Sequence, residues 1–278
     1  MSTAPTSAAP ITVVLESPLP PEVLTHLYET MLKARLLAKR FRNAPHTAEA
    51  VLAGTLQNTE TDDLLITSHS HPVLEVLKGA DVDSVARPVS ASKSANKLKI
   101  DLVPPPLRVA VAGPDSAPSV AAGSAFALKR SQSSAVAIAF LPGKATTTKA
   151  FEQAARFAGE QRLPVIFVAD WSQSRASRSH EGTNLSHWPC PTIAVDARDV
   201  IAVYRVMKEA TGVARRGHGP TLVDCVNFLA PGRRGRDDRD PIATFRGYLK
   251  RHHAWSDEWA AKLESDLKLM VRGSKRQS

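Results

Sequence analysis

The segment that most constrains the fold of this chain is residues 135–170, which has the order strand, loop, helix, strand. Two nearly continuous apolar runs, at 135–141 and 163–168, are typical of strands that are covered on both faces of a parallel sheet. Between them, apolar residues recur at helical spacing from Phe151 to Ala158, while charged residues fall on the opposite face. The sequence therefore predicts a βαβ unit, with the threonines at 146–148 able to cap the helix.

The loop at 141–148 follows the first strand of this unit. Ligands with phosphate groups bind at such positions, because exposed helix N–H groups and the helix dipole attract negative charge. The loop reads LPGKATTT and contains no carboxylate, no Asn and a single Gly. A nucleotide phosphate-binding loop is rejected, since that pattern requires Gly where Ile138 stands and Ser or Thr where Ala145 stands. The framework of a cofactor site is present without its usual chemical groups.

Six segments carry a family resemblance through their order and spacing. They are LYETMLKARLLAKRF at 27–41, TAEAVLAG at 47–54, TSHSHPVLEVLKGAD at 67–81, SVAAGSAFALK at 119–129, AFEQAARFAGEQRLPVIFV at 150–168 and GPTLVDCV at 219–226. Together they resemble the alpha subunit of the thiamine diphosphate-dependent, decarboxylating first component of 2-oxo acid dehydrogenase complexes, of the pyruvate and branched-chain type. The resemblance implies an α/β thiamine diphosphate-binding fold, with a mostly parallel sheet and helices on both faces.

The same resemblance implies thiamine diphosphate and Mg²⁺ as cofactors, and this chain departs from the family at the residues that hold them. The family's cofactor loop reads G-D-G-A-x-N-E-G, and its Asp ligates Mg²⁺. That Asp falls on Gly143, which precedes Lys144, and the motif's Asn and Glu fall on Thr147 and Thr148. The metal-binding carboxylate is therefore missing from the aligned position.

A second family motif, N-N-x-Y-A-I-S, supplies another metal ligand and aligns with residues 171–177. Ser172 replaces the ligating Asn, and Ser174 is a further degenerate position of the same run. Mg²⁺ prefers octahedral oxygen ligands that include carboxylates, and a buried diphosphate without its metal is costly. We therefore expect no metal site and weak or absent cofactor binding. Metal-free diphosphate binding through Lys144 is the alternative to a solvated loop lysine.

His69 and His71 align with the family's Y-R-x-H stretch, which contacts the cofactor phosphate and contains a histidine that assists catalysis. If His71 matches that histidine, it is the candidate catalytic residue, and His69 takes the place of the arginine. Histidine is a poorer permanent phosphate anchor than arginine, because it is charged only part of the time near neutral pH. The alternative for His71 is a capping or core histidine. A metal site on His69 and His71 is disfavoured, since no acidic or cysteine partner lies nearby in the sequence.

Two further stretches bear on the site. The family's T-Y-R-x-x-G-H-S run carries a histidine beside the thiazolium ring, and the equivalent residues 227–233 contain none. The mixed-charge cluster at 233–240 is interpreted as an exposed loop, with a role in gating or docking as the alternative. Residues 86–109, which are rich in Ser, Lys and Pro, are predicted to form a loop.

The formal charge of +9 and the pI near 9.8 raise nucleic-acid binding as a different class of function. The basic residues are scattered along the chain, and aromatic residues make up only 5% of it. An acidic protein partner would satisfy the same charge, and the resemblance implies a beta subunit that supplies half of the cofactor site. We therefore expect a beta-subunit partner, with a homodimer as the alternative, and rank nucleic acid below both.

The chain has 278 residues, of which 43% are hydrophobic and 23% are charged. This length and composition are typical of one large domain. We expect a disordered leader at 1–20, a single domain at 21–271 and a basic tail at 272–278. The leader lacks the features of a secretory signal and no long apolar run predicts a membrane span, which favours the cytoplasm. Cys190 and Cys225 are too few for a disulfide framework and are expected to be buried.

These observations lead to one functional hypothesis and two alternatives. The first is an alpha-type subunit with an eroded cofactor site and a noncatalytic or regulatory role. The second is an active thiamine diphosphate-dependent oxidoreductase, which decarboxylates a 2-oxo acid and passes the acyl group to lipoamide in concert with a beta subunit. The third is a basic nucleic-acid-binding protein.

Overall fold

A computed structural model describes residues 19–41, 47–85, 108–113, 115–172, 189–228 and 240–272. Its strands are β1 (Leu64–Thr67), β2 (Val109–Val111), β3 (Ala137–Pro142), β4 (Val165–Asp170), β5 (Thr192–Asp196) and β6 (Thr221–Val226). They form one six-stranded sheet in the order β2-β1-β3-β4-β6-β5, and every pair of neighbours in it is parallel. The predicted α/β class with a parallel sheet is therefore confirmed.

Helices pack against both faces of this sheet. The described helices are α1 (Pro21–Arg40), α2 (Glu49–Leu56), α3 (Pro72–Leu77), α4 (Val82–Val85), α5 (Ala117–Arg130), α6 (Lys149–Glu160), α7 (Val200–Arg215), α8 (Pro241–Arg251) and α9 (Asp257–Arg272), and a 3₁₀ turn, Gly143–Thr147, joins β3 to α6. Helices α8 and α9 pack on α1. Within the described ranges, none of these helices is long and apolar enough to cross a membrane.

The predicted βαβ unit is formed by β3, α6 and β4. Four residues of α6 are buried at the expected spacing: Phe151, Ala154, Ala155 and Ala158. The side-chain oxygen of Thr148 accepts a hydrogen bond from the N–H of Phe151 at 3.2 Å and so caps the helix. Strand β3 begins two residues later than predicted, because the N–H of Val136 donates to the carboxylate of Asp63 at 2.9 Å.

Alternation along the central strands divides the core into two layers. On β3, Ile138 and Phe140 face the layer that contains α1, α2 and α7. Their neighbours Ala137, Ala139 and Leu141 face α5 and α6, whose buried residues are mostly alanines. Small side chains on this second face let both helices lie close to the sheet. On the first face, Gly54 of α2 is needed for close packing, since a Cβ there would lie 2.7 Å from a methyl carbon of Val203.

A buried ion pair closes the amino end of the sheet. Asp63, which is fully buried, precedes β1 and receives hydrogen bonds from Arg215 of α7 at 2.7 and 2.9 Å. Its two oxygens also accept the N–H groups of Glu60 and Val136, both within 2.9 Å. Each carboxylate oxygen is therefore satisfied, and the charge is neutralised by a guanidinium.

Helix α8 is held against α1 by polar and aromatic contacts. Arg35 of α1 makes a bidentate hydrogen bond to Asp240 at 2.8 and 2.9 Å and a further hydrogen bond to Glu49 at 2.8 Å. The ring of Tyr28 packs 6.5 Å from that of Phe245. These contacts fix the start of α8 relative to the neighbouring helices.

Some of the sequence predictions concern residues that lie outside the described ranges or at their boundaries. Residues 86–107, Ser174 and residues 229–239 lie outside the described residues, as do most of the leader and most of the basic tail. Leu19, inside the predicted leader, is buried among the residues of α1, and Val109, inside the predicted loop, begins β2. Both cysteines are buried, as predicted, and burial raises the pKa of the Cys190 thiol to about 12.

Candidate functional site

The predicted site residues gather at the carboxyl edge of the sheet. Strands β1, β3 and β4 are neighbours, so the chain segments that follow them meet at the same edge. His69 and His71 follow β1, the loop with Gly143 and Lys144 follows β3, and Ser172 follows β4. The topology therefore brings these segments together, as expected for ligand sites in parallel sheets.

The position aligned with the family's metal-binding carboxylate is closed by an indole ring. Gly143 is buried at the start of the 3₁₀ turn, and the ring of Trp171 lies directly against it. A Cβ built on Gly143 would collide with three carbons of that ring, Cγ, Cδ2 and Cε2. No side chain, and so no carboxylate, fits at residue 143 while Trp171 keeps this position.

Two hydrogen bonds fix Trp171 in place. The indole Nε1–H donates to Oδ1 of Asp224 at 2.7 Å, and the backbone N–H donates to the carbonyl of Cys225 at 2.9 Å. Asp224 lies on β6 and is 1% exposed. Because an N–H···O⁻ bond to a buried carboxylate is strong, the indole is held across the end of β4.

A second buried acidic residue at this edge is Asp170, the last residue of β4. Its Oδ2 accepts the N–H of Ala48 at 3.0 Å, and its Oδ1 accepts the N–H of Ser172 at 2.8 Å. Burial raises the pKa of Asp170, although these hydrogen bonds act in the opposite direction. Asp170 thus ties the start of α2 to the end of β4 through its two oxygens.

His71 is the N-cap of α3 and is buried. Its Nδ1 accepts the N–H of Leu74 at 3.1 Å, so the ring proton of the neutral form lies on Nε2, which is 3.1 Å from Oγ1 of Thr47. This is the capping alternative recognised in the sequence. Thr47, which contacts His71, directly precedes Ala48, whose N–H donates to Asp170. His71 and Asp170 therefore hold the same short segment before α2.

The remaining predicted residues contact groups of their own segments. His69 and Lys144 are exposed, and the ring of His69 lies 3.1 Å from the hydroxyl of Ser68. The hydroxyl of Thr147 donates to the carbonyl of Lys144 at 2.8 Å, and Thr146 and Thr148 make equivalent bonds three residues back. All three hydroxyl protons are therefore used inside the loop.

Ser172 connects β4 with the segment after β6. Its carbonyl accepts a hydrogen bond from the side-chain amide of Asn227 at 3.0 Å. Asn227 begins the stretch that aligns with the family's histidine-bearing run. Here its side chain links the ends of two adjacent strands, β4 and β6.

A divalent metal ion does not fit the residues gathered at this edge. In the part of the chain that the structure describes, no three His, Cys, Asp or Glu side chains are grouped so that they could hold one. Gly143 offers no side-chain ligand, and the oxygens of Asp170 face backbone N–H groups. Mg²⁺ requires several oxygen ligands in octahedral geometry, and this arrangement does not supply them.

The sequence predicted the loop positions, but it did not predict that Trp171 and Asp224 are hydrogen-bond partners. Asp224 does carry a signal, because it is an acidic residue inside the otherwise apolar strand TLVDCV. A buried carboxylate needs a donor, and the sequence alone does not say which residue provides it. The pairing with Trp171 depends on β4 and β6 being neighbours, which only the sheet order reveals.

Comparison with known proteins identifies the family of this α/β chain. Residues 39–277 match the family model described as "Dehydrogenase E1 component", and the chain belongs to that family. The implied cofactors of the family are thiamine diphosphate and a metal ion. The predicted resemblance to the alpha subunits of 2-oxo acid dehydrogenases is therefore confirmed.

Three curated relatives are alpha subunits of such dehydrogenases, and each of them matches only part of the chain. A 3-methyl-2-oxobutanoate dehydrogenase subunit alpha from Mycobacterium tuberculosis is 34% identical over 159 residues, which are 49% of this chain and 43% of the relative. A 2-oxoisovalerate dehydrogenase subunit alpha from Bacillus subtilis is 32% identical over 131 residues, 39% and 40% of the two chains. A pyruvate dehydrogenase E1 component subunit alpha from Staphylococcus aureus is 27% identical over 180 residues, 55% and 49% of the two chains. The chain spans less than half the length of each of these relatives.

Proposed function

We propose that this chain is a noncatalytic or regulatory alpha-type subunit of a 2-oxo acid dehydrogenase, with an eroded site for thiamine diphosphate and Mg²⁺. The observation that carries the proposal is the indole of Trp171, which fills the space that a carboxylate at residue 143 would need. Without that carboxylate the metal loses a ligand, and the diphosphate loses the charge that compensates it. The side chains at this edge of the sheet contact one another, and this supports a structural role for them rather than the binding of a diphosphate and its metal ion.

The proposal extends to the assembly and the place of the chain. Alpha subunits of this family work with a beta subunit, and we propose a beta-type partner in a cytoplasmic heterotetramer, with a homodimer as the alternative. Residues 21–271 then form a single domain. His71 acts in it as a cap and brace, because both of its ring nitrogens contact neighbouring groups.

Calorimetry with thiamine diphosphate and MgCl₂ tests the cofactor part of the proposal. We expect no metal-dependent binding, either with the chain alone or after its co-expression with a beta-type subunit of the same family. The beta chain is included because it supplies half of the site in this family. Metal-dependent binding in the micromolar range would show that the site works and would favour the active-enzyme alternative.

A restoration series tests whether the closed position is the cause. The triple variant Gly143→Asp, Trp171→Asn, Ser172→Asn returns the family's residues at the two metal-ligand motifs. It should gain thiamine diphosphate binding that EDTA abolishes. The matched control is Trp171→Asn alone, which opens the space but adds no carboxylate and should gain nothing. A folded triple variant that binds no better than the control would mean that loss of these groups does not explain the missing affinity.

A further inference from the structure

An apolar surface patch lies on α5 and α6, the two helices that cover the second face of the sheet. Its centre is a pair of phenylalanine rings, Phe126 of α5 and Phe157 of α6, whose centroids are 5.9 Å apart. The two residues are 40% and 39% exposed. Within the described ranges, only one other large apolar residue, Leu269 of α9, is exposed. Two of these three residues are therefore in contact, although they come from different helices.

The outer face of α5 carries no charge beside the phenylalanine pair. Residues 117–128 contain no charged side chain, and Ser119, Gly123 and Ala127, which share the outer face with Phe126, are all exposed. A surface helix normally carries charged and polar residues on its outer face, whereas a helix that is apolar on all sides is normally buried. Exposed apolar patches with a polar rim mark contacts with other molecules. The composition of α5 therefore indicates a face that another protein surface covers.

Charged residues of opposite sign border the phenylalanine pair where the two helices end. Arg130 is the last residue of α5 and Glu160 is the last residue of α6, and both are exposed. The two helix ends lie side by side, because Nζ of Lys129 donates to the carbonyl of Gln161 at 2.6 Å. In the part of the chain that the structure describes, neither Arg130 nor Glu160 takes part in an ion pair. Both charges can therefore pair with a group of another molecule.

A second copy of this chain is complementary to this face. Both helices connect parallel strands, so they run in the same direction. A two-fold axis that lies between them and runs along them places α5 of each copy on α6 of the other. Phe126 then meets Phe157 of the second copy and Arg130 meets Glu160, and each contact occurs twice, as in any isologous interface. A rim with one sign of charge would repel its own copy, whereas this rim pairs opposite charges.

We propose that two copies of this chain associate through α5 and α6. The four phenylalanine rings form the centre of the interface, and two ion pairs between Arg130 and Glu160 form its rim. This face lies away from Gly143 and Trp171, so the inference does not depend on whether thiamine diphosphate binds. It holds equally for a homodimer and for the two alpha-type chains of a heterotetramer.

Sedimentation equilibrium of the full chain, without any beta-type chain, tests the inference. We expect a reversible dimer with twice the chain mass of 30.0 kDa. Phe126→Ser together with Phe157→Ser should weaken the association at least about thirtyfold, because large side chains at the centre of an interface contribute most of the binding energy. Leu269→Ser is the matched control, since it changes an exposed apolar residue on α9. Circular dichroism checks that each variant is folded. A monomeric wild type, or equal weakening in the control, would overturn the proposal.

Reversal of the rim charges identifies the second copy as the molecule that covers this face. Arg130→Glu and Glu160→Arg should each weaken the association about tenfold, because each change places like charges together at both rim contacts. The variant that carries both changes should regain most of the wild-type affinity, since every contact again joins opposite charges. An interface with other residues would not show this recovery. A folded double variant that associates no better than either single variant would therefore contradict the proposed pairing.

Discussion

The two ends of the parallel sheet treat buried acidic residues differently. At the amino end, Asp63 is neutralised by Arg215 and accepts two backbone N–H groups, so the ion pair is complete within the fold. At the carboxyl end, Asp224 accepts the indole N–H of Trp171, and that indole covers Gly143. The first end is held by a buried ion pair, whereas at the second end an indole ring occupies the space beside residue 143.

The difference shows that buried acidic residues stabilise the two ends of the sheet through different partners. Parallel strands, helix caps and the Asp63–Arg215 pair hold the sheet through contacts within the chain. The groups at the carboxyl edge stabilise one another in the same way. The contacts at both ends of the sheet are therefore made by residues of the chain itself.

Loss of the ion pair at the amino end should give the largest effect. Asp63→Ala removes the acceptor of two backbone N–H groups and the buried carboxylate partner of Arg215, which keeps only Glu60 and the carbonyl of Ser134, and we expect the free energy of unfolding to fall by about 3–5 kcal/mol. Asp62→Ala is the control, because Asp62 is 74% exposed and its pair with Arg108 is long at 3.4 Å. Urea denaturation of both variants measures the difference. Similar losses in the two variants would mean that burial does not decide the strength of the pair.

At the carboxyl end, Gly143→Ala should cost about 3 kcal/mol, the upper end of the range for overpacked positions. The new methyl group collides with the ring of Trp171, so removal of that ring by Trp171→Gly should make the Ala substitution nearly neutral in the double variant. Gly123→Ala is the control, since a Cβ there meets nothing within 4 Å and the residue lies inside α5. That control should stabilise the protein slightly. Additive losses at 143 and 171 would contradict the contact.

The hydrogen bond between Trp171 and Asp224 can be separated from the volume of the ring. Trp171→Phe keeps an aromatic group but removes the N–H donor from a buried carboxylate, and we expect a loss of about 2 kcal/mol. Trp255→Phe provides the comparison, because its indole donates at the same distance of 2.7 Å to Asp257, which is 85% exposed. Thermal unfolding should show a clear loss for residue 171 and almost none for residue 255.

The ion pair Arg35–Asp240 is more exposed than the pair Asp63–Arg215. We expect its contribution to the free energy of unfolding to be the smallest of those considered, about 0.2–1 kcal/mol. The hydrogen bond from Arg35 lowers the pKa of Asp240. A carboxyl whose pKa is lower in the folded state adds stability above its unfolded pKa of about 3.9 and loses it as the pH falls through the folded value. Asp240→Asn keeps a capping oxygen for Ile242 but removes this acid-sensitive part. The variant should therefore differ from the wild type near neutral pH and converge with it in acid, and a constant difference would refute the charge effect.

Local patterns in the sequence predicted the βαβ unit correctly, including the buried face of α6 and the cap at Thr148. These features depend on spacing along one segment, which the sequence states directly. Strand β2 was missed, because three residues at the sheet edge, Val109–Val111, carry too little periodicity to be distinguished from a loop. The starts of β3 and β4 were placed two residues early, since apolar residues continue before the strands begin.

At the candidate site, the sequence predicted what is absent from residue 143 but not what replaces it. That residue 143 is a glycine, with no side-chain ligand, is read directly from the sequence. The position of Trp171 depends on the strand order and on the donor that Asp224 requires, and both are long-range properties. The caps made by His71 and the threonines were likewise open alternatives until their hydrogen-bond partners were known.

The contact between Gly143 and Trp171 has a consequence for how such a chain changes over generations. Once the indole is present, acquiring Asp at 143 first would destabilise the protein, whereas losing the indole first would leave a void and remove one hydrogen-bond donor from Asp224. Either single step lowers fitness if stability is limiting, so the pair acts as an epistatic barrier. Gaining a carboxylate at residue 143 would therefore require both changes in close succession, which makes the present state hard to leave.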